Sequence, residues 1–313
     1  MSHKVETMMY VRDVPWHGIG IKVMEAPNSA EALRLAGLDW NVEQCPVITD
    51  DGMQIPGYLC NRRDDTHGVL GIVSDKYQVV QNYEAFKFTD QLIGGDVKYE
   101  TAGSLLCGRR VWLLAKLPTK KVVGDEVVPY LCFVNAHDGT SAIRVCMTPI
   151  RVVCNNTLNI ALGTAKRKWS TCHKGDLNAK MADARDSLEM ADTYMYEVNK
   201  FGNMLANTRI NEATLDKYIN SLFPIEETDT ERKKANAKRS RAEFMTCYYA
   251  PDIKKFEGTA WGIVNAASDM ATHTMPVRET TKFRENNWSR LIDGHILIDS
   301  VVSLIKKDAM LNR

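Results

Sequence analysis

Residues 96–154 form mostly apolar runs separated by turn residues, a pattern that predicts four β-strands in hairpin succession. The expected strands are residues 96–106, 109–117, 127–136 and 140–154. Gly108 turns the first hairpin, and His137-Asp138-Gly139 turns the third with residue types typical of tight turns. Sequential strands with helices before and after them indicate an α+β fold, an antiparallel β-meander with flanking helices, rather than a parallel βαβ sheet.

The segment before the meander predicts two helices and a hairpin. Ser29 is expected to cap a helix over residues 29–36, and Gly37 to follow its end. Asp50-Asp51-Gly52 is a hairpin turn signal, and Pro56 in the returning strand favours an edge strand or a bulge. Asn82 is expected to cap a second helix, which ends at Gly94-Gly95.

Past Gly163 the apolar period becomes helical. Apolar residues from Leu177 to Leu205 recur at steps of three and four, which predicts an amphipathic helix of about thirty residues. Its apolar stripe is expected to pack within the chain or to form a subunit interface. Further helices are predicted over about 211–222, from Thr230 onward, and over about 259–273 and 288–305. We therefore expect a sheet domain over residues 1–163 and a helical region over residues 164–313, either independent or packed back on the sheet.

Composition narrows the classes of function. The formal net charge is +1, so a nucleic-acid site would have to be a local basic patch. No run of eighteen apolar residues and no signal-peptide core is present, which leads us to expect a cytoplasmic protein without a membrane span. None of the eight cysteines forms a CxxC pair, and most are expected to be small core residues. Cys172-His173, with Cys154 upstream, matches no established zinc spacing, and we expect no metal and no cofactor.

Basic residues offer the best candidate site. Lys166, Arg167 and Lys168 precede Trp169, and cations beside an aromatic face suit single-stranded nucleic acid, whose phosphates are neutralised while a base stacks. The alternative is a solvated loop with a packed indole. Arg109, Arg144 and Arg151 interrupt otherwise apolar strands and are expected to join the same groove. Six cations between Arg232 and Arg241 form either a second phosphate-facing stripe or a solvated helix face.

Catalytic signals are weaker. His137-Asp138 is explained by turn geometry, and Asn155-Asn156 by helix capping. No phosphate-binding GxxxxGK[ST] loop, GxSxG elbow or HExxH zinc motif is present. We therefore predict no catalytic residues, and a protein that is more consistent with binding than with catalysis.

Six segments together resemble a known family. In chain order they are WHGIG, VSDKYQVVQNYEAF, TAGSLLCGRRVWLLAKLP, NAHDGTSA, TPIRVVCNNTLNIAL and GTAWGIVNAASDMATH. The set resembles the phage/plasmid-like family known as domain of unknown function 932, over residues 12–273. The resemblance implies a habitat on phages, prophages and conjugative plasmids. It defines no activity and no catalytic residue.

The outline of the predicted fold is also similar to the phage RecT- and Beta-type strand-annealing proteins. That similarity, which lies at the level of fold, implies an oligomer that holds single-stranded DNA in a basic groove. The first hypothesis is therefore a homo-oligomeric protein of single-strand annealing or recombination. The second is an interaction protein that inhibits a host defence or replication factor, and the third is a metal-dependent nuclease.

Overall fold

The computed structural model describes residues 5–11, 20–94, 97–151, 168–273 and 295–311. The chain divides into two compact units: residues 1–118, 130–147 and 166–192, and residues 119–129, 148–165 and 193–313. The strands are β1 Val5–Val11, β2 Ile21–Val23, β3 Val42–Ile48, β4 Gln54–Arg63, β5 Val69–Ser74, β6 Lys98–Leu105, β7 Arg110–Lys116, β8 Lys120–Val122, β9 Asp125–Ala136, β10 Ile143–Arg151 and β11 Lys168–Thr171. The helices are α1 Ser29–Leu35, α2 Asn82–Ile93, α3 Leu177–Asn207, α4 Glu212–Leu222, α5 Glu231–Tyr248, a 3₁₀ turn Lys254–Phe256, α6 Ala260–His273 and α7 Ile296–Leu311.

The larger sheet has the strand order β11-β10-β9-β7-β6-β1-β2, and β8 pairs with β9. β6, β7 and β9 are antiparallel neighbours, as are β10 and β11, whereas β1 and β2 run parallel. Gly108 and Gly139 adopt positive φ angles of 85° and 72°, as their turns require. The predicted α+β class and the β-meander are therefore confirmed.

One face of this sheet carries the core of the first unit. Alternate residues of the central strands point to it, and α1 and α2 supply buried residues to the same cluster. Its largest fully buried members include Tyr99, Phe133, Leu113 and Leu131. Trp112 and Cys132 occupy the alternate strand positions and are 5% and 3% exposed, so the second face is also shielded from water.

A smaller sheet of the first unit has the order β3-β4-β5, with antiparallel pairs throughout. The predicted hairpin turn lies between β3 and β4, where the Thr49 N–H donates to the Met53 carbonyl over 2.8 Å. β4 is the central strand, so of the two alternatives at Pro56 the edge strand is wrong and the bulge is supported. The pairing of β4 with β3 shifts register between Pro46 and Ile48 of β3, and Gly57 has a φ of 82°.

The second unit is mainly helical. α5 and α7 both pack on α6, and Phe244, Trp261, Val264 and Val301 are buried there. The later part of α3 contributes Val198 and Leu205 to this interior. α3 contains 31 residues, which confirms the predicted long helix. No helix among the described residues is both long enough and apolar enough to cross a bilayer.

Two predicted helix caps are wrong. Asn28, not Ser29, caps α1, because its Oδ1 accepts the Glu31 N–H over 3.0 Å. Gln81 caps α2, and its N–H donates to the Glu84 carboxylate over 2.8 Å. Asn82 is instead the first residue of the helix and is 1% exposed. The proposed cap at Asn155-Asn156 lies outside the described residues.

The cysteines are less uniform than predicted. Cys132 and Cys146 are buried, as expected of core residues. Cys45, Cys60 and Cys247 are half-buried, and Cys107 and Cys172 are exposed. Cys154 lies outside the described residues.

Candidate nucleic-acid interface and a buried histidine cluster

Two of the predicted DNA-binding residues lie at one end of the larger sheet. Arg109 is exposed in the β6–β7 turn, and its carbonyl accepts the His137 N–H over 2.8 Å. Arg144 is the second residue of β10, which begins just after the turn that follows β9. Because Ile143 pairs with Thr171, the segment that follows β11 reaches this same end of the sheet.

The other predicted residues are placed differently. Arg151 is the last residue of β10, at the opposite end of that strand from Arg144, and it falls in the second unit. Lys168 begins β11 and pairs with Cys146. Lys166 and Arg167 lie outside the described residues. The basic loop predicted here therefore includes an edge strand of the sheet, β11, which the sequence pattern did not indicate.

Trp169 packs against the core of the first unit. It pairs with the buried Val145, so both side chains point to the core face, and its ring centroid lies 6.4 Å from that of Phe88. Ser170, the next residue, pairs with Arg144 and points to the other face with it. The indole and the Arg144 side chain are thus on opposite faces of the sheet.

The segment after β11 adds cations to this end of the sheet. Lys174 is exposed and Lys180 is half-buried in the first turn of α3, where its Nζ donates to the Lys174 carbonyl over 2.6 Å. Among the described residues, no carboxylate lies within salt-bridge distance of Lys174, Lys180 or Arg109. We call Arg109, Arg144, Lys174 and Lys180 the basic end of the sheet.

The second cation-rich segment, α5, is partly neutralised by its own neighbours. Lys233 pairs with Asp229 over 2.5 Å, and Lys234 with Glu231 over 3.3 Å. Arg239 lies 3.6 Å from Glu243. Arg241 donates two hydrogen bonds, of 2.9 and 2.7 Å, to the Phe223 carbonyl at the end of α4. Four of the six cations therefore have structural or local electrostatic partners, whereas the exposed Arg232 and Lys238 remain available to phosphates.

A cluster of buried histidines begins at the turn that follows β9. His137 is fully buried, and its Nε2 lies 3.1 Å from Oδ1 of Asn82. The Asn82 amide nitrogen already donates to the carbonyls of Leu38 and Trp40, over 3.0 and 3.3 Å. Oδ1 must therefore be an acceptor, which places the imidazole proton on Nε2 and a lone pair on Nδ1. Among the described residues, Nδ1 has no hydrogen-bond partner.

His173 is arranged in the same way. It is 4% exposed, and its Nδ1 lies 3.0 Å from the Gln78 carbonyl, which can only accept. Its proton is therefore on Nδ1, and Nε2 has no partner among the described residues. The ring of Tyr77 stacks on His173 at 4.5 Å, and the Tyr77 hydroxyl donates to the Ala136 carbonyl over 2.6 Å.

One segment, residues 77–82, anchors the whole cluster. Its Gln78 carbonyl accepts the His173 Nδ1–H, and its Asn82 Oδ1 accepts the His137 Nε2–H. Its Val80 carbonyl accepts the Asn135 amide over 2.9 Å. Burial, together with the nearby His173, lowers the pKa of His137 to about 3. Burial likewise lowers the pKa of His173. Both imidazoles are therefore neutral at pH 7.

The cluster presents buried acceptors rather than donors. His137 Nδ1, His173 Nε2 and Asn135 Oδ1 are buried acceptor atoms without a partner among the described residues. Neutral imidazoles of this kind ligate metals. However, the described part of the chain contains no group of three or more His, Cys, Asp or Glu residues that could hold a metal ion. Two histidines fall short of the three or four protein ligands of a zinc site.

The sequence did not predict this cluster because its residues also suit ordinary structural positions. His137 lies in a predicted turn and Asn82 at a predicted helix start, and each position alone accounts for the type of residue found there. The available signal was the pairing of two conspicuous segments, VSDKYQVVQNYEAF and NAHDGTSA. The fold joins them through Asn82 and His137.

Comparison with known proteins gives a family. The model of the family described as Domain of unknown function (DUF932) matches residues 69–292, which is more than half of the 313 residues. No curated protein and no solved structure matches the chain.

Proposed function

Since this chain belongs to the family described as Domain of unknown function (DUF932), a description that names no activity, we propose a function from its site. The protein binds single-stranded DNA as a homo-oligomer and acts in strand annealing or recombination on a mobile element. The observation that carries the proposal is the basic end of the sheet, where Arg109 and Lys174 are exposed and have no carboxylate partner among the described residues. Cations in this state are available to phosphates.

The fold adds support of a weaker kind. The structure contains an antiparallel meander followed by the long helix α3, the features from which we inferred a similarity to RecT- and Beta-type annealing proteins. The packing of Trp169 on Phe88 reduces what base stacking contributes at that residue. The proposal therefore depends on backbone electrostatics, and it predicts binding with little sequence preference.

Charge-removal variants test the location of the site. The double variant Arg109→Ala/Lys174→Ala removes two exposed cations from the basic end. The variant Lys233→Ala/Lys234→Ala removes the same charge from α5, where both lysines are already ion-paired. For single strands each lost phosphate contact lowers the log–log salt slope by about 0.7, so the first variant loses roughly 1.4 and the second close to zero.

Fluorescence anisotropy with a labelled oligonucleotide at several salt concentrations measures these slopes. Equal losses in both variants would show that net charge, not the basic end, determines binding. A third variant, Lys166→Ala/Arg167→Ala/Lys168→Ala, tests the sequence-predicted cations directly and is expected to weaken binding. Circular dichroism spectra that match those of the wild type establish that each variant is folded.

A second candidate, an interaction protein that inhibits a host factor, is favoured by the smaller sheet. Tyr58, Val69 and Ile72 are 53%, 58% and 60% exposed on β4 and β5, and Ile48 of β3 is 63% exposed. Clustered exposed apolar side chains are typical of protein-binding surfaces. Under this candidate, Ile72→Glu abolishes capture of a host protein and DNA binding is absent in the wild type. Retained capture by Ile72→Glu would remove this face from consideration.

A further inference from the structure

Two cysteines face each other across the β3–β4 hairpin. Cys45 and Cys60 are direct partners in the antiparallel register of these strands. Both are half-buried, and neither is bonded to another cysteine. Directly paired residues project to the same face of a sheet, so the two thiols lie side by side.

The pattern of backbone hydrogen bonds sets the spacing of this pair. The Asp64 N–H donates to the Asn41 carbonyl over 3.0 Å, whereas the Val42 N–H and carbonyl bond to the Gln81 side chain. Asn41 and Asp64 are therefore a hydrogen-bonded pair, and Val42 and Arg63 are a non-bonded pair. Since the two kinds of pair alternate along an antiparallel ladder, Cys45 and Cys60 form a bonded pair, with Cα atoms about 5.5 Å apart. Disulfides have Cα separations of about 4.4–6.8 Å, most often about 5.5–6 Å.

The surroundings give reagents access to the thiols. Cys60 also pairs with Ile72 on β5, which is 60% exposed, so the two cysteines lie within the exposed apolar face of the smaller sheet. Arg62, two residues along the same strand, donates to Glu43 over 3.0 Å on this face. Burial, and then the neighbouring Cys45, raises the pKa of the Cys60 thiol, while Arg62 opposes this increase. Exchange is therefore expected to accelerate as the pH rises above neutral.

We propose that Cys45 and Cys60 are a thiol–disulfide exchange site that takes small-molecule disulfides as its oxidant. One thiolate attacks a sulfur of the small disulfide, whose other half leaves as a thiol and takes up the released proton. The second cysteine then attacks the mixed disulfide, forms the Cys45–Cys60 bond and releases a second small thiol. Two protein thiols are oxidised, and one small disulfide is reduced to two thiols. The product links β3 to β4 at mid-strand.

Oxidised glutathione at about pH 8.5, near the ordinary pKa of cysteine, is the probe. In the wild type, peptide mapping is expected to find Cys45 and Cys60 in one cross-linked peptide, with the loss of two hydrogen atoms and no lasting adduct at either residue. In Cys45→Ser or Cys60→Ser, the remaining thiol is expected to keep one glutathione, because no partner resolves the mixed disulfide. The exposed Cys107 and Cys172 serve as internal controls, since they acquire adducts in all three proteins.

A second measurement reports the link without any substitution. Hydrogen exchange in the β3–β4 hairpin is expected to slow on oxidation of the wild type and to recover on reduction, with no change in Cys45→Ser. Separate stable adducts on Cys45 and Cys60 in the wild type would overturn the proposal, and so would two thiols that stay reduced or that bond to other cysteines. DNA binding plays no part in these outcomes, so the proposal stands or falls independently of the proposed function.

Discussion

Asn82 is the residue on which the buried cluster depends most. Its amide nitrogen donates to the carbonyls of Leu38 and Trp40, and its amide oxygen accepts the Nε2–H of His137. At 1% exposure, none of these groups has water as a substitute partner. A sequence pattern shows that an asparagine stands at the start of a helix, but not whether its amide points to the helix or into the core. That choice depends on partners far away in the chain, such as Trp40 and His137, which lie 42 and 55 residues from Asn82.

Asn82→Ala is expected to destabilise the first unit. Removing the amide leaves two carbonyls and one imidazole N–H buried without a partner, and the expected cost is about 3 kcal/mol. Urea unfolding measures this change in the free energy of unfolding. Asn211→Ala is the matched control, because Asn211 makes a single exposed capping bond to the Thr214 N–H at α4 and should cost about 1 kcal/mol. Equal effects in the two variants would contradict the structural role given to Asn82.

The buried histidines make stability depend on pH. Folding lowers the pKa of His137 from 6.5 to about 3, so between these values the unfolded state binds a proton that the folded state does not. The contribution of His137 to the free energy of unfolding is therefore fully present above pH 6.5. Below that pH it decreases by about 1.4 kcal/mol per pH unit. Urea unfolding at a series of pH values measures the slope.

His137→Gln is expected to reduce that slope by about 1.4 kcal/mol per pH unit, which corresponds to one bound proton, since glutamine does not titrate but can donate to Asn82. His67→Asn is the control, because His67 is exposed and its φ of 54° suits asparagine. An unchanged slope in His137→Gln would show that His137 is protonated in the folded state.

At the scale of elements, the strands with the longest apolar runs were predicted well. β6, β7 and β9 lie close to their predicted ranges, because burial on both faces of the sheet leaves continuous apolar runs that end at turn residues. β11 was missed since KWST is short and polar and has only one core residue, Trp169. Its strand conformation comes from pairing with β10, a tertiary interaction that local propensity does not encode.

Gly103 of β6 lies close to β1 and to the side chain of Trp112. A Cβ at this position would lie 2.5 Å from the Thr7 carbonyl oxygen and 2.5 Å from Cη2 of Trp112. Gly103→Ala must therefore displace β1 or the buried indole, and we expect a loss of roughly 2 kcal/mol in thermal or urea unfolding. Gly68→Ala, where the nearest neighbour is the Thr66 hydroxyl at 3.3 Å, is expected to be nearly neutral. Similar stabilities of the two variants would contradict the packing of β1 against β6.

At the scale of the whole molecule, charge is distributed in a way that composition conceals. A net charge of +1 argues against a polycationic protein. Yet α5 pairs three of its six cations with nearby carboxylates, whereas the exposed Arg109 and Lys174 at the basic end have no carboxylate partner among the described residues. Arg109 and Arg144 were predicted from sequence, but their convergence with Lys174 and Lys180 depends on the pairing of β10 with β11.

The central claim is that this protein binds single-stranded DNA as an oligomer. The most direct test is the anisotropy of a labelled single-stranded oligonucleotide titrated with the wild-type protein at low and at moderate salt, with the mass of the complex measured in parallel. We predict binding by an assembly of several chains that weakens steeply with salt, with a log–log slope of about −2 or steeper for three or more phosphate contacts. No binding at low salt, or binding that salt does not change, would contradict the account.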